Sequence, residues 1–600
     1  MPAPMFYVNV IFPGPWWNAL TYASECPIAA GIRVQAPVGR GTRTGVCIGT
    51  AEASSAELRL RNISKVLDSR PVLSKAYLSA VSIVSRAFLC SEGDLLRSLL
   101  PSCFWKDVPF PEYAEEIGTA PQQEFVYQYQ DKLRHDVYRQ KICESGGGVL
   151  CLFPEREQAC AFYASLSGVI PEERLILWPA SGAASAHACW KRALEQANPV
   201  IIGAKGAACA PLASAKLIIV DDESNLSWRT IAPPEFSVRS FAAARARESG
   251  AQLILGGRIP SSRVVKNCAP RAPKMPKERG RLRFIDLNRV PRVNFKGIQF
   301  PLPVSDAVLS ETAAAVQSGQ IVFWLLDRRG VTSEIRCAEC GSAVQCVRCG
   351  TPMAFESGAL RCPMCGKRAP LPDVCPQCGG RILQGALPGL ESVLPMAQTL
   401  LPGKPAVLWH LDNPRTKAEA KKRLAELSSG GLLLGSRRAL SLLDTLSPQL
   451  ICWLDADSEA RQPNYDSRFS AFSMMLESLW RGEARRQVVM QTRTPAKKWQ
   501  KGLCAGWEYF WQLELAERKS LNFPPESHIV EIEFPKANGD MDSLAMKLDE
   551  AGFVTMMPNC GGSMLIVQTP RVAPLRRVLS DLFSIRRSRF GFPRVRVRSD

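Results

Sequence analysis

Eight cysteines stand in four Cys-x-x-Cys pairs: Cys337/Cys340, Cys346/Cys349, Cys362/Cys365 and Cys375/Cys378. Two intervening residues let one tight turn aim both sulfurs at a single ion. Two such pairs supply the four thiolates of a tetrahedral Zn(II) site, so eight thiolates imply two zincs. Gly341, Gly350, Gly366, Gly379, Pro363 and Pro376 supply the turn chemistry. Disulfides are disfavoured, because the start MPAPMFYVNVIFPGPWW lacks the basic region and apolar run of a secretory signal. Iron–sulfur clusters also take four thiolates, but paired knuckles with short polar spacers favour zinc. All-cysteine ligation leaves no open position, so the expected role is structural.

A second chemistry sits at the ends of apolar runs. Leu217–Val220 ends in Asp221-Asp222-Glu223, and Leu450–Leu454 ends in Asp455-Ala456-Asp457. Carboxylates at the carboxyl end of a buried parallel strand are where an NTPase of this layout holds Mg(II). A third candidate is a basic, glycine-rich turn: Gly39, Gly41 and Gly45 among Arg33, Arg40 and Arg43. Its amides could meet an anion; the same residues also read as a hairpin with solvated arginines. Lys plus Arg number 75 against 56 Asp plus Glu, a net charge of +19. That surplus points to a polyanion partner, nucleic acid first.

The elements that must position these groups follow from periodicity. Residues 5–50 read as short β-strands and 74–100 as helical. An α/β pattern then begins near Tyr127. Its strands are Val149–Phe153, Leu175–Trp178, Pro199–Gly203, Leu217–Val220 and Leu253–Leu255. Apolar strands alternating with helices predict a parallel sheet covered on both faces. Beyond a Pro- and Lys/Arg-rich linker at 268–281, a second unit has strands Ile321–Leu326, Ala406–Trp409, Gly431–Gly435 and Leu450–Leu454. The zinc insert interrupts that unit. The tail is β-rich at His528–Phe534, Leu565–Gln568 and Arg594–Arg598, around a helix at 574–587 whose Arg576, Arg577, Arg586 and Arg587 read either as a solvated basic face or as one that faces DNA. No run is long and apolar enough for a membrane span. The thirteen cysteines outside the cluster suit a reducing cytoplasm.

Two parallel-sheet lobes, acidic strand ends and a zinc insert in the second lobe resemble a superfamily 2 helicase, in particular the PriA family of replication-restart proteins (primosomal protein N′). The likeness is carried by Gln35–Arg40 with Arg43–Gly49, Val66–Pro71, Gly203–Leu212 leading into Leu217–Glu223, Asp327–Gly330 with the eight cysteines, Leu454–Asp457, and the ELAERKSLNFPP of Glu514–Pro525. The resemblance implies a multidomain α/β protein. Residues 1–105 would form a β-rich 3′-DNA-end-binding domain and 120–268 a degenerate first RecA-like lobe. The second lobe would span 282–510, with a double zinc-ribbon insert at 337–378, and a small α+β domain would span 511–600. It implies nested ligation: Cys337, Cys340, Cys375 and Cys378 on one zinc, Cys346, Cys349, Cys362 and Cys365 on the other. It implies DNA contacts at Gly39, Arg40 and Arg61, and as partners forked or junction DNA, primosome proteins and a replicative helicase loader.

The departures from the family pattern bear on ATP. A P-loop needs Gly-x4-Gly-Lys-Ser/Thr, since its amides cradle phosphate, Lys meets the β/γ-phosphates and the hydroxyl holds Mg(II). That string is absent from the chain. Its place is read as ESGGG, Glu144–Gly148, before the strand at Val149. The family's Asp-Glu-Glu-His box is Asp221-Asp222-Glu223-Ser224. The Gly-Ser-Ala-Thr-Pro motif is Gly256-Gly257-Arg258-Ile259-Pro260, and the final Gly-Arg-x-Gly-Arg is Trp480-Arg481-Gly482-Glu483-Ala484-Arg485, with at most one of its two arginines in place. In the first domain Thr21 stands where the family has an acidic residue. The expectation is a replication-restart protein that binds forked DNA and recruits replication proteins without helicase activity and with no catalytic residue. Alternatives are an active ATP-dependent 3′→5′ helicase, or a zinc-ribbon scaffold with little DNA binding.

Overall fold

The computed structural model describes every residue except 1–4, 15, 52–59, 112–121, 277–280, 290–291, 296–297, 302–303, 328–333, 349, 357, 364–365, 386–388, 411–413, 415, 463, 483, 496, 535–538, 558–562 and 585–592. The first unit is an antiparallel sheet of β1 (Phe6–Ile11), β2 (Leu20–Ser24), β3 (Arg33–Val38), β4 (Gly41–Thr50) and β5 (Lys65–Val66), in the order β2-β1-β4-β3-β5. Alternation turns Val8, Val10, Val34 and Ala36 into one core. Gly39 and Arg40 form the two-residue link between β3 and β4, with Val38 paired to Gly41 and Gly39 at φ +64°. That positive φ is what a tight hairpin loop demands.

Arg33 does not belong to the anion-binding turn. It is fully buried and bonds Asp68 through Nη2 at 2.6 Å. It also donates to the carbonyls of Phe104, Lys106 and Val108. The charge is spent pinning the sheet to the segment beyond it. Helices Lys75–Ala87 and Glu92–Leu99 follow, each N-capped by a serine: Ser74 accepts from the Tyr77 amide and Ser91 from the Asp94 amide.

The first lobe is a six-stranded parallel sheet of β6 (Gln123–Tyr127), β7 (Gly148–Leu152), β8 (Leu175–Leu177), β9 (Val200–Gly203), β10 (Ala215–Val220) and β11 (Gln252–Gly257). Its order is β6-β11-β10-β7-β9-β8. Leu150, Leu152, Ile218 and Val220 pack toward Phe241 and the first unit. Their neighbours Val149, Cys151, Leu217 and Ile219 pack toward Tyr138 and Phe162 on the other face. Both faces are covered, which is why β7 and β10 are apolar at every position but Lys216. β6 and the helix Asp131–Glu144 after it were not legible in the sequence pattern.

The second lobe is also six parallel strands, in the order Leu282–Asp286, Gln487–Thr492, Leu450–Trp453, Ile321–Leu325, Gly431–Gly435, Ala406–Trp409. The first two of these were missed in the sequence. The insert has small antiparallel pieces, Ile335–Cys337 with Leu383–Gly385, and Ala354–Glu356, Ala359–Arg361 and Arg368–Ala369. Its apolar core is little more than Ile335, Val344, Met353 and Leu360. A core that small needs a metal or a covalent tie.

The last sheet runs Thr555–Met556, Met564–Thr569, His528–Glu533, Arg594–Arg598, and it is antiparallel. Its helix Val572–Ser584 shares a core with Leu89 of the first unit. Arg576 does not face outward to DNA. It lies over the Trp17 ring at 4.6 Å and donates to the carbonyls of Ser85 and Cys90, and burial lowers its pKa. Arg586 and Arg587 lie outside the described residues. Among the described residues no helix is long and apolar enough to cross a membrane.

Candidate functional site

The cysteines come first. Cys337, Cys340, Cys375 and Cys378 bring their four sulfurs within 4.8 Å of one another. Sγ of Cys337 lies 3.6 Å from that of Cys378, and Sγ of Cys340 lies 3.8 Å from that of Cys375. Four thiol sulfurs at these spacings suit one tetrahedral soft-metal centre. The local fold is a repeated knuckle. The amides of Gly341 and Gly379 bond the carbonyls of Cys337 and Cys375, and those of Gly350 and Gly366 bond the carbonyls of Cys346 and Cys362. The four glycines share φ between +70° and +77°, a conformation that side chains with a Cβ resist. Cys346 and Cys362 are buried in the insert; Cys349 and Cys365 lie outside the described residues.

The basic turn of the first unit is solvent-facing. Gly39, Arg40, Arg43 and Arg61 are exposed. The Arg61 guanidinium donates to the Gly39 carbonyl at 3.0 Å, so residues 22 apart meet on one edge. Arg43 lies over the Trp16 ring. Thr21 donates to the Asn9 amide oxygen at 2.9 Å.

The third constellation is the cleft between the lobes, at the carboxyl ends of β6, β7, β10 and β11. Here one sequence expectation is corrected. Glu144–Gly148 leads into β7 at its amino end, where the Gly148 amide bonds the Ser214 carbonyl. The acid box is at the opposite end, where the Asp221 amide bonds the Leu152 carbonyl. ESGGG therefore cannot be the place of a phosphate loop. Two strand-to-helix turns flank the acid box: Gln128–Gln130 after β6 and Phe153–Glu155 after β7. Each has three residues, too few for an eight-residue P-loop.

Side chains fill this place instead. Arg134, on the helix after β6, is fully buried and grips Asp221 with two bonds, Nε to Oδ1 at 2.5 Å and Nη2 to Oδ2 at 3.2 Å. Tyr138, one turn on, donates to Asp221 at 2.9 Å. Burial pushes the Asp221 carboxyl up, but Arg134 outweighs it and holds the group well below the carboxylate range. Asp222 takes a left-handed turn at φ +47°, which short polar side chains tolerate. It meets Arg258 Nη1 at 3.2 Å. Glu223 is 2% exposed and accepts from Tyr127, from Arg239 at 2.5 Å and from the Ser261 amide at 2.6 Å.

Asp131 joins the set. Its Oδ1 accepts from Arg134 at 2.9 Å, and its Oδ2 accepts from Arg258 at 2.6 Å. Against the cost of burial, Arg258 and then Arg134 hold its carboxyl at about 2. From the second lobe, Arg481 is 1% exposed. It bonds Asp444 at 2.5 and 3.0 Å, Glu477 at 2.6 Å, and Glu155 of the first lobe. Those three carboxylates raise the arginine's pKa, against its burial.

MgATP does not fit this arrangement. A divalent cation would have to displace the Arg134 guanidinium from Asp221. Phosphates would meet Asp131, Asp221 and Asp222, whose arginines are already committed. The amino-terminal pole of the helix, a natural anion site, is occupied by Asp131. None of Asp221, Asp222 and Glu223 is left to activate water. Sequence reading missed Asp131, Arg134 and Glu155; the i, i+3 pair Asp131/Arg134 and the three-residue gap after Tyr127 were the available signals.

Fold and site together define a protein with two six-stranded parallel-sheet lobes whose acid box is engaged by ion pairs of the chain itself. Residues 9–101 match the family model described as the PriA 3′DNA-binding domain. The chain is 22% identical over 584 residues to the "Replication restart protein PriA" of Treponema pallidum, covering 88% of this chain and 86% of that one. It is 22% identical over 454 residues to that of Bacillus subtilis, covering 73% of this chain but 55% of that one. A structure of RecG bound to a three-way DNA junction aligns at 8% identity and a TM-score of 0.36, over 74% of this chain and 46% of RecG. Over most of its length the chain is similar to replication restart proteins of the PriA type, and residues 9–101 match the PriA 3′DNA-binding domain.

Proposed function

We propose that this protein binds forked or junction DNA in replication restart and recruits replication proteins there, using a helicase-type frame that does not turn over ATP. The DNA half rests on one observation: residues 9–101 match a 3′DNA-binding domain and present Gly39, Arg40 and Arg61 together on an exposed edge. The ATP half rests on the acid box, whose three carboxylates are all engaged by buried protein groups. The units run 1–105, 120–268, 282–510 with the insert at 337–378, and 511–600. Two zincs hold the insert, one on Cys337, Cys340, Cys375 and Cys378, the other on Cys346, Cys349, Cys362 and Cys365. Their all-thiolate closure makes them structural. Primosome proteins and a helicase loader are the proposed protein partners, in the cytoplasm.

The test is fork binding across a salt series, with DNA-stimulated ATPase measured on the same preparation. Binding should fall steeply with salt as phosphate contacts release counterions. Replacing Arg40 and Arg61 by alanine should flatten the log–log slope by about one unit per lost contact. Parent-like binding and slope in the double variant would remove these residues from the interface. DNA-dependent hydrolysis abolished by Asp222→Asn would put the active-helicase reading first.

A further inference from the structure

The failure of MgATP to fit leaves a question about the lobes. In a two-lobed NTPase the nucleotide and its cation are gripped from both sides, and order elements that are otherwise released. Without them, a two-lobed frame has to be held by something else or open. Resting on the non-motor reading above, we propose that the ions in this cleft are a clasp: Glu155–Arg481 and Asp131–Gly482 hold the two lobes together with no nucleotide.

The geometry carries this. Arg481 already has Asp444 and Glu477 from its own lobe, and the third carboxylate, Glu155, comes from the turn after β7 in the other lobe. Asp131 is the joint of the set. It holds Arg134 and Arg258 within the first lobe, and its Oδ2 also accepts from the backbone amide of Gly482 at 3.3 Å. That amide is aimed by a left-handed turn, with Gly482 at φ +74°. A Cβ there would lie 2.4 Å from the Leu443 carbonyl oxygen, so glycine is required.

Uncharged contacts run alongside. The Trp507 amide donates to the Tyr129 hydroxyl at 3.1 Å, and Trp511 Nε1 donates to the Pro260 carbonyl at 2.9 Å. Tyr129 and Ile259 of the first lobe are buried in the apolar core of the second. The sequence thus places its own carboxylates and guanidinium groups where a bound nucleotide would bring charge. A ligand that engages neither lobe state preferentially shifts nothing, so nucleotide should leave the closure untouched.

The experiment uses the full, metal-loaded chain and reads hydrogen–deuterium exchange with small-angle X-ray scattering, with and without Mg-ATPγS. In the parent, segments 125–134 and 478–486 should be protected and the scattering profile unchanged by nucleotide. Glu155→Arg, on the half-exposed side of the pair, should raise exchange in both segments by about tenfold and widen the profile. Glu155→Gln should give a smaller change in the same direction, and both variants should keep parent zinc content and circular dichroism. Parent-like exchange in Glu155→Arg, or a parent that closes only on adding Mg-ATPγS, would overturn the clasp. ATP hydrolysis by the parent would overturn the non-motor reading instead. An unresponsive Glu155→Arg with no hydrolysis overturns the clasp alone.

Discussion

The insert and the cleft both gather polar side chains around a small centre, and they close in opposite ways. In the insert, four sulfurs lie within 4.8 Å of one another, the Cys337 and Cys378 pair at 3.6 Å. They could be completed by a metal ion from outside, which would support a small apolar core. In the cleft, six carboxylates and three arginines from distant stretches engage one another within the chain. A ligand-demanding site keeps its donors close in sequence and unmatched in charge. A site that has internalised its counterions spreads them along the chain.

The largest break in that comparison comes from removing a ligand. Cys375→Ser should lose one metal equivalent and melt the insert, since structural zinc supplies on the order of 10–16 kcal/mol of apparent folding energy at neutral pH. Metal analysis with exchange over 335–385 should show the loss confined there, and exchange spread through both lobes would refute it.

Next in size is the cleft. Arg134→Leu leaves Asp221 as an uncompensated buried charge, which costs about 3–5 kcal/mol. Chemical denaturation should show this, and adding Asp221→Leu should recover part of it, because the charge is then gone. A harmless Arg134→Leu would mean the pair is not closed in solution.

The smallest effect is a pH dependence. His528 bonds Ser599 through Nδ1 at 2.8 Å, and burial, then Arg263, lowers its pKa to about 4. The unfolded value is about 6.5, so the unfolded chain binds the proton first. Stability should fall as pH drops from about 6.5 to 4 and level off below. His528→Gln should flatten that window in thermal melts, and an unchanged slope would assign it to other groups.

The cysteine knuckles and the buried strands were legible because their signals are local: a spacing of two, an apolar run of four or five. β6 was not. It is an edge strand in which only Val126 and Tyr127 are buried, so no apolar run marks it. The helix after it was hidden for a better reason. Its buried stripe is Arg134, Tyr138 and Ile142, spaced i, i+4, i+8. Two of the three are polar because they face Asp221, and a hydrophobic pattern cannot show a helix that buries charge. The misplacement of the phosphate loop at ESGGG followed from that miss. The ion pairs of the cleft join positions up to 326 residues apart, beyond the reach of any spacing rule.

The three-residue turns beside the acid box bear on whether this frame could be given a phosphate-gripping loop. A phosphate-gripping loop spans eight residues, so about five would have to be inserted into a turn whose Gln128 amide is already tied to the Gly257 carbonyl. Arg134 would have to leave its pocket in the same event. No ladder of single replacements, each tolerable alone, leads back across that gap. Sequence change at this edge of the sheet acts as a ratchet, and a laboratory attempt at revival would have to transplant the whole strand–turn–helix segment.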